Sequence, residues 1–408
     1  MRTAILTICV TVVALGARAA GVQEKISVTP AEPATAPAIA IEPILQKKPL
    51  VQMAILLDTS GSMSGLIDQA RAELWAIVNE FIFAKRGDMA PEVQVALYEY
   101  GKMSLPQDGG YIRRIVPFTT DLDKVSEELF ALKTNGGDEY CGWVMKEATA
   151  KLEWSDSPDD LKVIFIAGNE PFTQGPVDYK ESCKVAIDKN IIVNTIHCGS
   201  EGEGINGKWK DGALLADGRY LNIDQNRQIV HIAAPQDKDI EELSVRLNET
   251  YIAYGVAGSS NYARQSAQDR NASRLSAEAS IQRSVAKSSA NYRNEHWDLV
   301  DAYAEDSGKL KELKQEELPE NMRRMTDKEK KGYIEAKAKE RAEIQKKIQG
   351  LNEQRNKYVA AEMKKQQAAG DETLGSAVIQ AVREQAKTKN FKFEQPKREP
   401  AQGENISK

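Results

Sequence analysis

Apolar positions along the chain follow two periods that alternate. LVQMAILLD (50–58), LKVIFIAG (161–168) and IIVNTIHCG (191–199) are nearly continuous apolar runs of strand length, the pattern of strands covered on both faces. Between them the spacing changes to that of helices, as at Leu66, Ala70, Leu74, Ile77, Val78 and Phe81. VQVALYEYG (93–101) and YIRRIVPFTT (111–120) read as two further strands joined by a loop containing LPQDGG, and GRYLNI (218–223) as a last strand. DLDKVSEELFAL, with Asp121 as its cap, CGWVMKEATAKLEW, VDYKESCKVAIDKN and DIEELSVRLNETYIAY read as helices. Strands and helices alternating at this spacing predict an α/β unit over 48–257: an open, mainly parallel sheet with helices on both faces.

The strand signals stop beyond this unit. From 258 to 386 small and apolar residues recur at helical intervals, among them Val285, Ser289, Tyr292, His296, Leu299 and Tyr303. Pro319 breaks the run. The Lys- and Glu-rich stretch after it carries Ile344, Ile348 and Leu351 spaced four then three apart, a coiled-coil-like seam that Gly350 weakens and Arg355 interrupts. The expectation is two or three long helices, then a disordered tail over 387–408. HWDLVDAY reads as a helix contact through His296 and Trp297.

The N-terminal stretch has a different character. Arg2, an apolar segment from Ala4 to Leu15 and Ala17-Arg18-Ala19 have the order of a cleaved signal peptide over 1–19. Residues 20–47 alternate Pro, Ala and acidic residues, a spacer and not part of a core. No other segment is long and apolar enough to span a bilayer. The expectation is an exported protein, periplasmic or secreted. Cys9 would leave with the signal, and Cys141, Cys183 and Cys198 would remain. In an oxidising compartment Cys183 and Cys198, which bracket a helix-to-strand connection, are the candidate disulfide, with three buried thiols as the alternative. A formal charge of −5 and 6% aromatic residues offer nothing for a nucleic acid to bind.

LLDTSGSM, directly after the first buried strand, is where the chemistry concentrates. Asp58, Ser60 and Ser62 are hard oxygen donors turned toward one point at the carboxyl end of a strand, where open sheets bind ligands. The alternative is a capped turn, with the serines capping the next helix and Asp58 holding a backbone amide. The stretch resembles the first motif, Asp-x-Ser-Gly-Ser, of the metal-ion-dependent adhesion site in von Willebrand factor A domains. The order of elements from Leu50 to Tyr254, GRYLNI included, is similar as well. The resemblance implies a divalent cation, Mg²⁺ first with Mn²⁺ or Ca²⁺ as alternatives, and an open coordination position filled by a carboxylate from a protein partner.

The other two motifs of that family depart here. TNGGDEYCG has Asp138 where the family has a threonine, and FIAGNEP has Gly168 and Asn169 where it has an aspartate. The expectation is that Asp138 compensates, giving a metal site of Asp58, Ser60, Ser62 and Asp138. Two other readings stay open: a metal-dependent hydrolase with Glu139 or Glu170 as base, and a metal-free scaffold. GEGING (202–207) matches a dinucleotide-binding pattern formally but has too little helix after it and reads as a flexible surface loop. A zinc site of His197, Cys198 and His231 fits no common ligand spacing.

Overall fold

Strands covered on both faces need a helix layer above and below, and the computed structural model, which describes residues 48–224, 231–365 and 374–393, has both. The main sheet contains β1 (Leu50–Asp58), β3 (Glu92–Tyr100), β4 (Ile112–Thr119), β5 (Leu161–Gly168), β6 (Ile192–Cys198) and β7 (Tyr220–Ile223). Its order is β4-β3-β1-β5-β6-β7, with β4 antiparallel and the other pairs parallel. β1 is central, with β3 on one side and β5 on the other, so the strand order reverses at its carboxyl end. The expected signal peptide and spacer lie outside the described residues.

One face of the sheet is covered by α1 (Ser64–Asn79) and α2 (Leu122–Ala131), whose Leu66, Leu74, Ile77, Val125 and Leu129 pack on Met53, Leu57, Val95 and Phe165. Asp121 caps α2 as expected, accepting from the Lys124 amide at 3.0 Å. The other face carries α3 (Cys141–Lys151), α4 (Tyr179–Asp188) and α6 (Trp209–Leu215), packed on Leu56, Tyr98, Ile164 and Val193. α5 (Glu201–Asn206) is a single turn-and-a-half with a capping box between Ser200 and Glu203, so the segment expected as a flexible loop at GEGING is helical. The buried carbons alone would have predicted that loop poorly, because its order comes from a cap and not from an apolar face.

The expected Cys183–Cys198 disulfide is corrected. Cys141, Cys183 and Cys198 are free, buried thiols. Cys183 belongs to the cluster on one face of the sheet and Cys198 to the cluster on the other, so the sheet lies between them.

The helical region folds onto this unit and does not trail from it. α7 (Asp237–Asn248), α8 (Gly258–Leu275), α9 (Ala277–Lys287), α10 (Leu299–Glu305), α11 (Lys309–Glu312) and α12 (Asp327–Lys365) follow β7. The helical spacing read through residues 285–303 is broken: α9 ends at Lys287 and α10 begins at Leu299. Trp297, between them, is buried with Tyr251 and Tyr292 in a cluster that also takes Ile240, Ile344 and Ile348 from α7 and α12. Arg355, which interrupts the apolar seam of α12, is itself buried, bonding Asp237 at 2.7 Å and Glu278 at 2.5 Å. At the contact between α2 and the helical layer, Arg283 donates to Asp123 at 2.7 Å, to Asp269 at 2.5 Å and to the Gln265 carbonyl at 3.0 Å.

The chain then returns to the sheet. α13 (Leu374–Thr388) places Leu374, Ala377, Val378, Ala381 and Val382 in the same cluster as α1. β8 (Lys392–Phe393) pairs antiparallel with β2 (Ala84–Lys85), matching Phe393 with Ala84. The tail expected to be disordered from 387 is therefore structured through 393, and 394–408 lie outside the described residues. None of the described helices is long and apolar enough to cross a membrane.

Candidate metal site

The site forms where β1 ends at the point of strand-order reversal, the place at which open α/β sheets leave a crevice. Asp58 is its floor, with no exposed surface. The Ser60 amide donates to Asp58 Oδ1 at 2.6 Å, which folds the turn tightly back on the strand. Thr59 anchors the turn from the other side: its amide donates to the Tyr100 carbonyl at 2.8 Å, and its hydroxyl to Glu99 at 3.3 Å. Ser60 is buried, Ser62 is exposed, and their hydroxyl oxygens are 3.4 Å apart. Neither serine caps α1, whose N-cap is Met63 with no side-chain bond. Both hydroxyls are thus spared for another use, while Asp58 does hold a backbone amide.

The partner of Asp58 is Glu139, and the expectation for Asp138 is corrected. Glu139 is 3% exposed and lies within hydrogen-bonding reach of Asp58, with the Ser60 hydroxyl in reach of both. Asp138 is exposed and accepts from the Tyr140 hydroxyl at 3.2 Å. Residues 132–140 form an irregular connection between α2 and α3, in which Glu139 is buried and Asp138 is exposed. The segment is held in register at both ends. The Met103 amide donates to the Gly136 carbonyl at 2.6 Å, and the Glu139 amide to Gln174 Oε1 at 2.5 Å. A one-residue difference in register decides which acid enters.

Two glycines make room for this pair. Gly101 has φ +78°, and a Cβ there would stand 2.7 Å from Glu139 Cγ and 2.8 Å from Asp58 Oδ1. A Cβ at Gly168 would stand 2.6 Å from the Tyr100 hydroxyl and 3.2 Å from Asp58 Cβ. Next to Gly168, Asn169 supplies the third group. With its amide nitrogen set by the acceptors around it, it donates to Glu139 Oε2 at 3.3 Å and to Asp58 Oδ2 at 3.2 Å. The Glu170 amide also donates to Glu139 Oε2, at 3.3 Å. Asn169 directly follows Gly168, the position at which the sequence reading placed the lost aspartate, and supplies an amide there in place of a carboxylate.

Electrostatically the pair is uncompensated. Burial first, and then the neighbouring Glu139, hold the Asp58 carboxyl well above its ordinary range. Burial raises Glu139 likewise. Among the described residues no lysine, arginine or histidine forms an ion pair with either. Lys102, next to Gly101, turns to Glu99 at 3.5 Å, and Arg113 to the same carboxylate at 2.6 Å. Two buried carboxylates without a cation are costly, and a divalent ion among hard oxygens would balance them. The donors at hand fit such an ion: carboxylates of Asp58 and Glu139, hydroxyls of Ser60 and Ser62. No group of three or more His, Cys, Asp or Glu side chains among the described residues is placed to hold a metal, so hydroxyl, amide or outside oxygens would have to complete the shell.

The remaining candidates are dispersed. His197 Nδ1 is 3.1 Å from Asn222 Oδ1, Cys198 is in the core, and His231 lies between Asp237 and Glu278 at 3.3 and 3.1 Å. The Glu170 backbone is engaged on both sides, its amide with Glu139 and its carbonyl with the Trp209 indole at 2.8 Å.

Comparison with known proteins adds a likeness of shape. No family model matches the chain, and no curated protein does. Among solved structures, proximal thread matrix protein 1 from the mussel byssus is 11% identical at TM-score 0.33, over 44% of this chain and 42% of that one. The chain thus spans under half the length of that protein. The SpRpn10 VWA domain is 19% identical at TM-score 0.32, over 44% of this chain and 90% of its own. An aerotolerance-related membrane protein from Bacteroides fragilis is 15% identical at TM-score 0.30, over 43% and 93%. At these identities and scores the likenesses carry no argument about function. The fold class rests on the sheet itself: six strands, mainly parallel, with helices on both faces.

Proposed function

We propose that the chain is an exported protein built on a von Willebrand A-like unit, which binds a protein partner through a divalent cation held by Asp58, Glu139, Ser60 and Ser62. The observation that carries this reading is the buried Asp58–Glu139 pair at the head of β1, which no lysine, arginine or histidine among the described residues balances. A bound ion would supply a Lewis-acidic position at the surface of the turn, where Ser62 is exposed. The partner's oxygen, a carboxylate on the resemblance to the adhesion-site family, would occupy that position. The chain's own residues hold and aim the ion: Asn169 and the Ser60 amide orient the two carboxylates, and Thr59 with Glu99 fixes the turn. In this reading Glu139 holds the ion and the Glu170 amide braces Glu139.

Isothermal titration of the purified chain with Mg²⁺, Mn²⁺ and Ca²⁺ tests the ion. Wild type is expected to bind one equivalent, and Asp58→Ala and Glu139→Gln to lose it. Absence of binding by wild type would leave the metal-free scaffold, in which the two carboxyls share a proton. Partner capture with and without EDTA tests the second half.

A further inference from the structure

We propose that the exposed groove between α7 and α12 seats a second copy of this chain, with α7 packing on α7 and α12 on α12 about a two-fold axis that crosses the groove. None of the groove's residues belongs to the candidate ion site, so the pairing stands or falls apart from the ion.

The two helices lie antiparallel. Asp237, at the start of α7, bonds Arg355 at 2.7 Å, and Thr250, just past its end, accepts from the Arg341 guanidinium at 3.0 and 2.9 Å. Ile240, Leu247, Ile344 and Ile348 close the seam between them. Above that seam the helices leave a groove. Its floor is apolar and half-buried at Leu243 and Leu351, and it is shallowest in side chains at Gly350, where a Cβ would meet nothing within 4 Å. A helix of another molecule can therefore approach closely there and cover both leucines.

Charge makes the case for a copy as the occupant. Asp239 and Arg246 stand seven residues apart on α7, and Lys346 and Glu353 seven apart on α12. Seven residues return a helix to nearly the same face, about 10 Å farther along. Both acids lie two residues in from the Asp237–Arg355 bond, so they are level with each other, and Arg246 and Lys346 are level at the other end. A two-fold axis across the middle of the groove, near Leu243 and Gly350, sets each acid against the other copy's base on both helices. An axis running along the groove would set Arg246 against Lys346 instead. Glu242, close to the axis, has Lys238 at 3.6 Å. Asp239, Arg246, Lys346 and Glu353 form no ion pair among the described residues, and all but the half-buried Glu353 are exposed.

The test is sedimentation equilibrium of the full chain. Wild type is expected to dimerise, and high salt to weaken the dimer. Asp239→Lys with Glu353→Lys makes the groove basic at both ends, and Arg246→Glu with Lys346→Glu makes it acidic at both. Each double variant alone should dimerise at least about tenfold more weakly, since every facing pair turns repulsive and each occurs twice. An equimolar mixture of the two should dimerise as wild type does. Gly350→Cys, beside the axis, should cross-link to its own copy under mild oxidation, and Gln354→Cys, farther from it, should not; Cys141, Cys183 and Cys198 are buried and do not compete. A chain that sediments as a monomer overturns the pairing. So does a dimer that salt leaves unchanged, that either double variant keeps, that the mixture does not recover, or in which Gly350→Cys fails to cross-link.

Discussion

Replacing Glu139 with glutamine should move stability in opposite directions depending on whether a divalent ion is present. Without an ion, two carboxyl groups share a buried pocket, close enough for one Asn169 nitrogen to reach both at 3.3 and 3.2 Å. Two full charges at roughly 4 Å repel by about 4 kcal/mol at an effective dielectric near 20. Taking up a proton avoids part of that, at about 1.4 kcal/mol for each unit by which the pH exceeds the raised pKa. The amide of glutamine keeps the shape and removes the charge, and about 2 kcal/mol of the cost should be recovered. For a domain above 150 residues that is a rise in Tm of about 4 °C in EDTA. With an ion the sign reverses. Wild type gains about 2.7 kcal/mol at a hundredfold excess of ion over its Kd, and the variant, one carboxylate short, gains little. Thermal melts of wild type, Glu139→Gln and Asp138→Asn in EDTA and in saturating Mg²⁺ read all of this at once. Asp138→Asn should melt with wild type in both. A Glu139→Gln protein that melts below wild type in EDTA, or that Mg²⁺ stabilises as much as wild type, would refute the assignment of Glu139 to the site.

Three further outcomes follow from buried groups elsewhere. Arg283→Met leaves Asp123 and Asp269 without their shared cation and should cost about 3–5 kcal/mol in urea unfolding; because the ion pairs join α2 to α8 and α9, a single shifted transition is expected, and an unshifted sheet transition would contradict it. Burial first, and then Asp298, raise Asp301 from 3.8 to about 6. The folded state binds the extra proton between those values, so wild-type stability should fall as pH rises through that window, by on the order of 3 kcal/mol; Asp301→Asn should flatten this slope, and an unchanged slope counts against it. Burial pushes the Cys183 thiol up to about 12, and all three thiols should resist a thiol reagent until denatured, then react together; a missing pair after denaturation would restore the disulfide.

The sheet was legible because strands buried on both faces leave long apolar runs that few other structures produce. β1, β5 and β6 announce themselves in that way, and Asp58 is legible because it ends such a run. The helical region was harder. Apart from α8 and α12 its helices are short, and the apolar spacing through 285–303 continues across a turn where Trp297 is buried by aromatic contacts instead of by a helix stripe. Arg355 looked like an interruption of an apolar seam. In fact it is buried with two carboxylates, and no periodicity carries that information.

Asp138 and Glu139 show where reading by motif stops. Both are acids in one short segment, and composition does not separate them. What separates them is the register of the loop between α2 and α3, set by contacts with Gly101, Met103 and Gln174, residues from two other loops. The same register that turns Glu139 inward turns Asp138 outward, onto the hydroxyl of Tyr140. The pair of adjacent acids therefore has two destinations fixed together, one in the pocket beside Asp58 and one at the surface. Shifting that register by one residue would exchange the two destinations.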